Sequence, residues 1–206
     1  MNQAAAIYSP VRPQHVNDNT PHAARPLMIG LTGLRNVGKS TVANLLEEEF
    51  GFEKVHAFAS GKEAAERWFD VIGGDGWRMV YGDLKDQPSE HLPGGVAPRF
   101  LLEKMGHFFG ETLGVDWTLG LEIQLARKRN PRAPIVVESL VYEAPWFRAQ
   151  GGVVVRLERP GHNGPAGVES DAVQAAIAAD VTLSATTPDE LRTKARRAVQ
   201  QMVGGG

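Results

Sequence analysis

The 206-residue sequence has no cysteine, which excludes disulfides and thiolate metal sites and suits a cytoplasmic setting. It also has almost no net charge: 22 Lys and Arg stand against 24 Asp and Glu, for a formal charge of −2. A global electrostatic pull toward nucleic acid or an anionic membrane is therefore missing. No apolar run approaches the ~20 residues of a membrane-spanning helix. The first residues lack a charged start followed by an apolar stretch, so a secretory signal is not expected. His56, His91, His107 and His162 show no metal-ligand spacing and read as surface or local hydrogen-bonding residues. There is no internal repeat, and no Asn-Lys-x-Asp of the kind that reads guanine. What is present is 42% hydrophobic content, enough for one globular domain with a sizeable core.

The most informative segment runs from Gly33 to Ser40 and reads G-L-R-N-V-G-K-S, the phosphate-loop pattern G-x-x-x-x-G-K-[S/T]. Its flanks fit. Leu27 to Leu31 is a short apolar run suited to a buried strand, and Thr41 to Leu46 has helical character. Glycines in such a loop let successive backbone N–H groups turn toward phosphate oxygens, and the helix N-terminus adds partial positive charge. Gly33, Arg35, Asn36, Gly38, Lys39, Ser40 and Thr41 are the expected nucleotide-binding residues. Lys39 would reach the β- and γ-phosphates, and the Ser40 hydroxyl would ligate Mg²⁺. ATP and Mg²⁺ are the cofactors this implies.

Along the chain, residues 1–26 combine four prolines with polar residues and no hydrophobic period, so a disordered tail is expected. Residues 27–203 form the expected domain, and 204–206 a flexible terminus. Gly51 suits a helix C-cap, Lys54 to Phe58 a second strand, and Ser60 with Glu63 a capping box opening a helix through Phe69. Gly73 to Gly76 breaks the chain, and residues 82–97 make a long connection of the kind that often carries function. Pro98-Arg99 opens a helix with Leu102, Met105, Gly106 and Phe109 along one face. Another helix spans Asp116 to Arg129 and stops at Asn130-Pro131. Ile135 to Glu138 and Val153 to Leu157 read as strands, with a short helix over Pro145 to Gln150 between them. Asp180 to Leu183 is the last strand, and Thr187-Pro188-Asp189-Glu190 caps a helix running to about Met202. In that helix the acids precede Arg192, Lys194, Arg196 and Arg197, as the macrodipole favours, which accounts for the basic end without nucleic acid. Alternating strands and helices predict a single α/β domain: a parallel sheet with helices on both faces.

Transfer of a phosphoryl group between two phosphorylated reactants needs cations beyond the loop lysine, because the reactants repel each other. Lys62, Lys85, Arg99 and Arg159 are the candidates. Several segments then resemble the phage-type deoxynucleoside monophosphate kinases, a P-loop kinase family. These are Gly30 to Thr41, H-A-F-A-S-G-K at 56–62, G-D-L-K-D at 82–86, P-G-G-V-A-P-R-F-L-L-E-K-M-G at 93–106, V-D-W at 115–117 and R-L-E-R-P-G at 156–161. The resemblance covers most of residues 27–200 in the same order. It implies the reaction ATP + dNMP → ADP + dNDP, with Lys62 and Arg99 on the acceptor phosphate and Arg159 at the transfer centre in a mobile cover. It also implies a cytoplasmic enzyme, in the host cell if phage-encoded, with a small nucleotide as its partner and no membrane; a homodimer is compatible.

This chain departs from the family pattern where the acceptor is read. The family's glutamine in L-L-Q is Glu103, the threonine after Gly106 is His107, and an arginine a few residues on is replaced by Glu111. The strand that ends D-V-R in the family ends Glu138-Ser139-Leu140. Glu138, at a strand end, can serve the metal or accept a substrate proton. Arg35 is expected either over the nucleotide or in solvent, and Lys85 in solvent unless its loop closes. Trp68, Trp117 and Trp146 fall on predicted helices, where tryptophan is more often core than a base platform. Trp117, with Lys62, Lys85, Arg99, Glu103 and His107, completes the expected acceptor site. Ser184 to Thr187 is where related kinases hold adenine against backbone. Two rivals remain in view: a kinase acting on a modified base within phage DNA, which the missing basic surplus disfavours, and a catalytically silent nucleotide-binding module.

Overall fold

The computed structural model describes residues 26–164 and 169–204. The expected tail therefore lies outside the described residues except for Pro26, as do Gly205 and Gly206. The chain runs β1 (Met28–Thr32), α1 (Lys39–Phe50), β2 (Glu53–Val55), α2 (Ala59–Val71) and α3 (Gly76–Val80). Two 3₁₀ turns, Asp83–Asp86 and Pro93–Gly95, lead into α4 (Pro98–Thr112) and α5 (Val115–Arg129). Then follow β3 (Ile135–Val137), α6 (Ala144–Ala149), β4 (Val153–Glu158), α7 (Glu169–Ala176), β5 (Val181–Ser184) and α8 (Pro188–Gly204).

The five strands form one sheet in the order β2-β3-β1-β4-β5, and every pairing is parallel. Strand alternation divides the core into two layers. Ile29, Leu31, Val136, Val155 and Leu157 face α1 and α8, meeting Val42, Leu45, Leu46, Leu191 and Val199. Met28, Ile135, Val137 and Val154 face the other side, meeting Leu119, Ile123, Leu140 and Phe147 from α5, α6 and the β3–α6 loop. Burying one such Leu, Ile or Phe is worth about 1.5–3 kcal/mol, which makes the sheet the rigid base of the molecule. A satellite cluster of Ala65, Phe69, Met79, Val80, Leu92 and Leu102 ties α2, α3 and α4 together beside the sheet. This is the expected α/β P-loop architecture, with helices on both sheet faces.

Local expectations differ from the structure at β2, at Ser60, and at α3 and α7. The second strand ends at Val55 rather than Phe58, because the chain turns there: the His56 carbonyl accepts from Ala59 N, and Phe58 N donates to His56 Nδ1. Ser60 does not cap α2. It lies inside the helix, and its backbone N donates to the carboxylate of buried Glu122 at 2.8 Å, so the cap comes from α5. The short helices α3 and α7 were not foreseen. The first is capped by the Asp75 side chain, which accepts from Arg78 N at 3.0 Å. Half of the expected capping box of α8 forms, with Glu190 N donating to Thr187 Oγ1 at 3.2 Å, while the Glu190 carboxylate accepts from Thr186 N at 2.8 Å.

Candidate functional site

At the carboxyl end of the central strand, the sequence turns straight into a loop and a helix. Gly33 and Gly38 have φ of +134° and +107°, and Asn36 has φ +63°. These left-handed conformations curl the backbone between β1 and α1 into a cradle. At Gly33 space matters as much as torsion, since a Cβ would lie 2.4 Å from the Leu157 carbonyl oxygen. No side chain caps α1 and no acid lies in its first turn, so its N–H groups remain available to an anion. Lys39 Nζ spans the loop and donates to the carbonyls of Gly33 at 2.6 Å and Leu34 at 2.9 Å. Ser40 Oγ donates to Glu138 Oε1 at 2.5 Å, which joins the loop helix to the end of β3. This oxygen-only pair fits Mg²⁺, which takes few protein ligands and keeps phosphate oxygens and water for the rest. No cluster of three or more His, Cys, Asp or Glu suited to a metal occurs among the described residues.

On the β2–β3 side of the loop the structure gathers cations from distant segments. Lys62 Nζ lies 2.7 Å from His56 Nε2. Burial, then the charges of Lys62 and Lys85, push the His56 imidazole down to about 3, so the ring beside Lys62 is neutral. Burial also brings Lys62 down to about 8, assisted by Lys85 and Arg99 and opposed by Glu138. Lys85, likewise lowered by burial and by Arg99, is half-buried in its 3₁₀ turn, not solvated as expected from sequence. Arg99, at the start of α4, pairs with Asp86 through two hydrogen bonds, one of them 2.8 Å from Nη2 to Oδ2. That hydrogen bonding holds the Asp86 carboxyl below its usual range, and the charges of Lys85 and Arg35 add to it. Lys62, Lys85, Arg99 and Glu138 thus feel one another's charge beside the loop.

The rest of the expected acceptor set is more peripheral. Glu103 is exposed, within charge range of Lys85. His107 is exposed and lies 3.4 Å from Glu111, with its ring edge-on to Tyr142. Trp117 is 42% exposed and Trp68 46%, so neither is core; Trp146 packs partly buried against the α5–α6 cluster. Arg159 is exposed just after β4 and opens a tight turn, in which His162 N donates to Arg159 O at 3.0 Å and Gly161 has φ +75°. His162 Nε2 sits 2.7 Å from the Arg35 carbonyl and so docks this turn on the phosphate loop.

Behind that turn lies a cavity of about 310 Å³, lined by Leu34 and Val37 of the loop, Arg159 and Pro160, Gln174 of α7 and Ser184 of β5. The pairings of His56 with Lys62 and of Asp86 with Arg99, and the burial of Gln174 at the cavity, emerge only in the structure. The spacing of His56 and Lys62 around a strand-to-helix turn was the one local signal for any of these.

No protein-family model matches the chain, and no curated protein matches it. Solved structures align with it over most of its length at low identity. A dephospho-CoA kinase from Campylobacter jejuni is 14% identical with a TM-score of 0.43, covering 87% of this chain and 97% of its own. Shikimate kinase from Aquifex aeolicus is 16% identical with a TM-score of 0.46, covering 87% and 100%. Shikimate kinase from Acinetobacter baumannii, in complex with shikimate, is 15% identical with a TM-score of 0.40, covering 88% and 95%.

Proposed function

We propose that this protein transfers the γ-phosphoryl group of Mg·ATP to a small phosphorylated acceptor, with a deoxynucleoside monophosphate as the acceptor class. The observation that carries the reading is the cation cluster of Lys62, Lys85 and Arg99 around Glu138, which itself touches Ser40 at the loop. Cations pressed together and partly desolvated are costly, and a dianionic acceptor relieves that cost. The cluster lies on the β2–β3 side of the loop, so such an acceptor faces the start of α1.

In the reaction, an acceptor phosphate oxygen bonds to the γ-phosphorus while the bond to the β–γ bridging oxygen breaks, and ADP leaves. That oxygen is already an anion, so no general base is needed. Glu138 is therefore assigned to orienting Ser40, and the two would together hold Mg²⁺. Mg²⁺, when bound, supplies charge neutralisation across the β- and γ-phosphates. Lys39 holds those phosphates, Lys62 and Arg99 hold the acceptor, and Arg159 closes over the transferring group from the β4 side. Arg99 must exchange Asp86 for substrate, which makes their ion pair a resting arrangement.

A coupled assay of ADP release across the deoxynucleoside monophosphates, with polymeric DNA as a separate acceptor, tests the reading. Turnover with one free nucleotide supports it. Turnover only on DNA assigns the DNA-kinase alternative, and tight ATP binding with no turnover on any acceptor assigns the silent module.

A further inference from the structure

The triphosphate loop has two sides in this fold. Glu138, Lys62, Lys85 and Arg99 occupy the side of β2 and β3. The other side, above β4 and β5, holds the cavity of about 310 Å³. If the terminal phosphate lies at Lys39, Ser40 and Glu138, the remainder of the nucleotide must leave toward β4 and β5. The cavity volume is within the range of small-molecule pockets, and Leu34, Val37, Leu157 and Pro160 give it apolar walls for a flat ring.

Donors in the backbone after β5 are already engaged. Ala185 N donates to the Glu158 carbonyl at 3.0 Å, and Thr186 N donates to the Glu190 carboxylate at 2.8 Å. The Ser184 carbonyl accepts from Lys194 Nζ at 2.6 Å. That leaves Gln174 as the amide on the cavity wall. Its side chain is buried, with the residue only 4% exposed, yet Oε1 has no donor among the described residues. A covered acceptor without a partner is costly, and in native proteins it usually marks a missing ligand or a binding role. The helix that carries it is fastened in place, because the Arg156 guanidinium donates to the carbonyls of Ala175 and Ile177 at the end of α7.

We propose that Gln174 is the base-reading residue of the donor site, accepting a hydrogen bond from the exocyclic amino group of adenine. Its Nε2 donates to the neighbouring ring nitrogen, since a Gln amide and the adenine edge present matching donor and acceptor pairs. Rotation about the last side-chain torsion, which is broad for Gln, turns the amide edge toward the cavity. The proposal rests on the triphosphate reading above and adds to it the group that selects the base.

The test is a binding cycle by calorimetry without acceptor, using Mg·ATP and purine riboside triphosphate, which lacks the amino group. Wild-type protein should prefer ATP by about tenfold or more, as for a lost hydrogen bond to a buried partner. In Gln174→Ala, and in the near-isosteric Gln174→Met, that preference should vanish, because ATP loses both bonds to the amide while purine riboside triphosphate loses only the one to its ring nitrogen. The nucleotide-free melting temperature of either variant should be unchanged or higher, because no protein contact of Oε1 is lost. A preference for ATP that persists in both variants overturns the proposal, as does a fall in melting temperature without change in selectivity. Lys39→Ala separates the two levels. If it leaves affinity for both nucleotides intact, the triphosphate reading itself fails; if it weakens both while Gln174 variants do not alter selectivity, only the base assignment fails.

Discussion

The two sides of the phosphate loop are built from different materials. The donor side is backbone: left-handed Gly33, Asn36 and Gly38, the uncapped start of α1 and the Lys39 bridge across the loop all lie within eight consecutive residues. The acceptor side is made of long side chains drawn from α2, a 3₁₀ turn, α4 and the end of β3, and its cations repel one another and are balanced by carboxylates such as Asp86. A backbone cradle tolerates little change and keeps its shape without ligand. A cluster of side chains can be retuned residue by residue, which is where this sequence departs from the family it resembles.

Lys39→Ala should produce the largest break between the two sides. Loss of a preorganised cation on the transferring group costs at least about a hundredfold in kcat, while the fold should survive because Lys39 is not core. Circular dichroism and a steady-state assay together check this, and near-wild-type turnover would remove the kinase reading.

Gly33→Ala should damage the donor side through structure instead. The residue would be forced into a left-handed φ with its Cβ against the Leu157 carbonyl, a strain of about 1–3 kcal/mol. At about 2–4 °C per kcal/mol for a domain of this size, thermal melting should show a clear drop, together with weaker ATP binding. An unchanged melting curve would mean that the loop relaxes freely.

Arg99→Ala should sharpen the comparison by affecting one side alone. A charge-assisted contact to phosphate is worth about 1.5–3 kcal/mol, so monophosphate affinity should fall roughly ten- to a hundredfold. ATP affinity should move little, because the loop is intact. Equal losses for both nucleotides would show that the two sides are not separate sites.

The smallest effect is a pH dependence. Lys62 titrates near 8 in the free protein, against about 10.5 for an ordinary lysine, and a dianionic acceptor favours its charged form. Acceptor affinity should therefore decline as pH rises through about 8, with no matching step in ATP affinity. Between about 8 and 10.5 the unfolded chain holds the extra proton, so the Lys62 contribution to stability rises with pH there. Lys62→Met should flatten both profiles. A profile that persists in this variant would assign the titration to another group.

Residue patterns made the loop, the sheet type and most helices legible because each depends on neighbours in sequence. Glycines within a few positions of Lys39 set the cradle, and short apolar runs such as Leu27 to Leu31 and Val153 to Leu157 mark the buried strands. The short helix α3 carried too few turns for a hydrophobic period to show. Glu122 capping α2 and Asp86 pairing with Arg99 were not legible for another reason. The first joins residues 62 positions apart, and the second spans 13 positions across the irregular connection between Asp86 and α4. Lys85 and Gln174 make the same point about burial: whether a polar side chain loses water depends on what the finished sheet and its helices place around it. Local geometry is set by short-range sterics and backbone hydrogen bonding, so the sequence by itself determined the phosphate cradle. Desolvation and ion pairing are long-range consequences of packing, so only the tertiary structure decided which charges surround it.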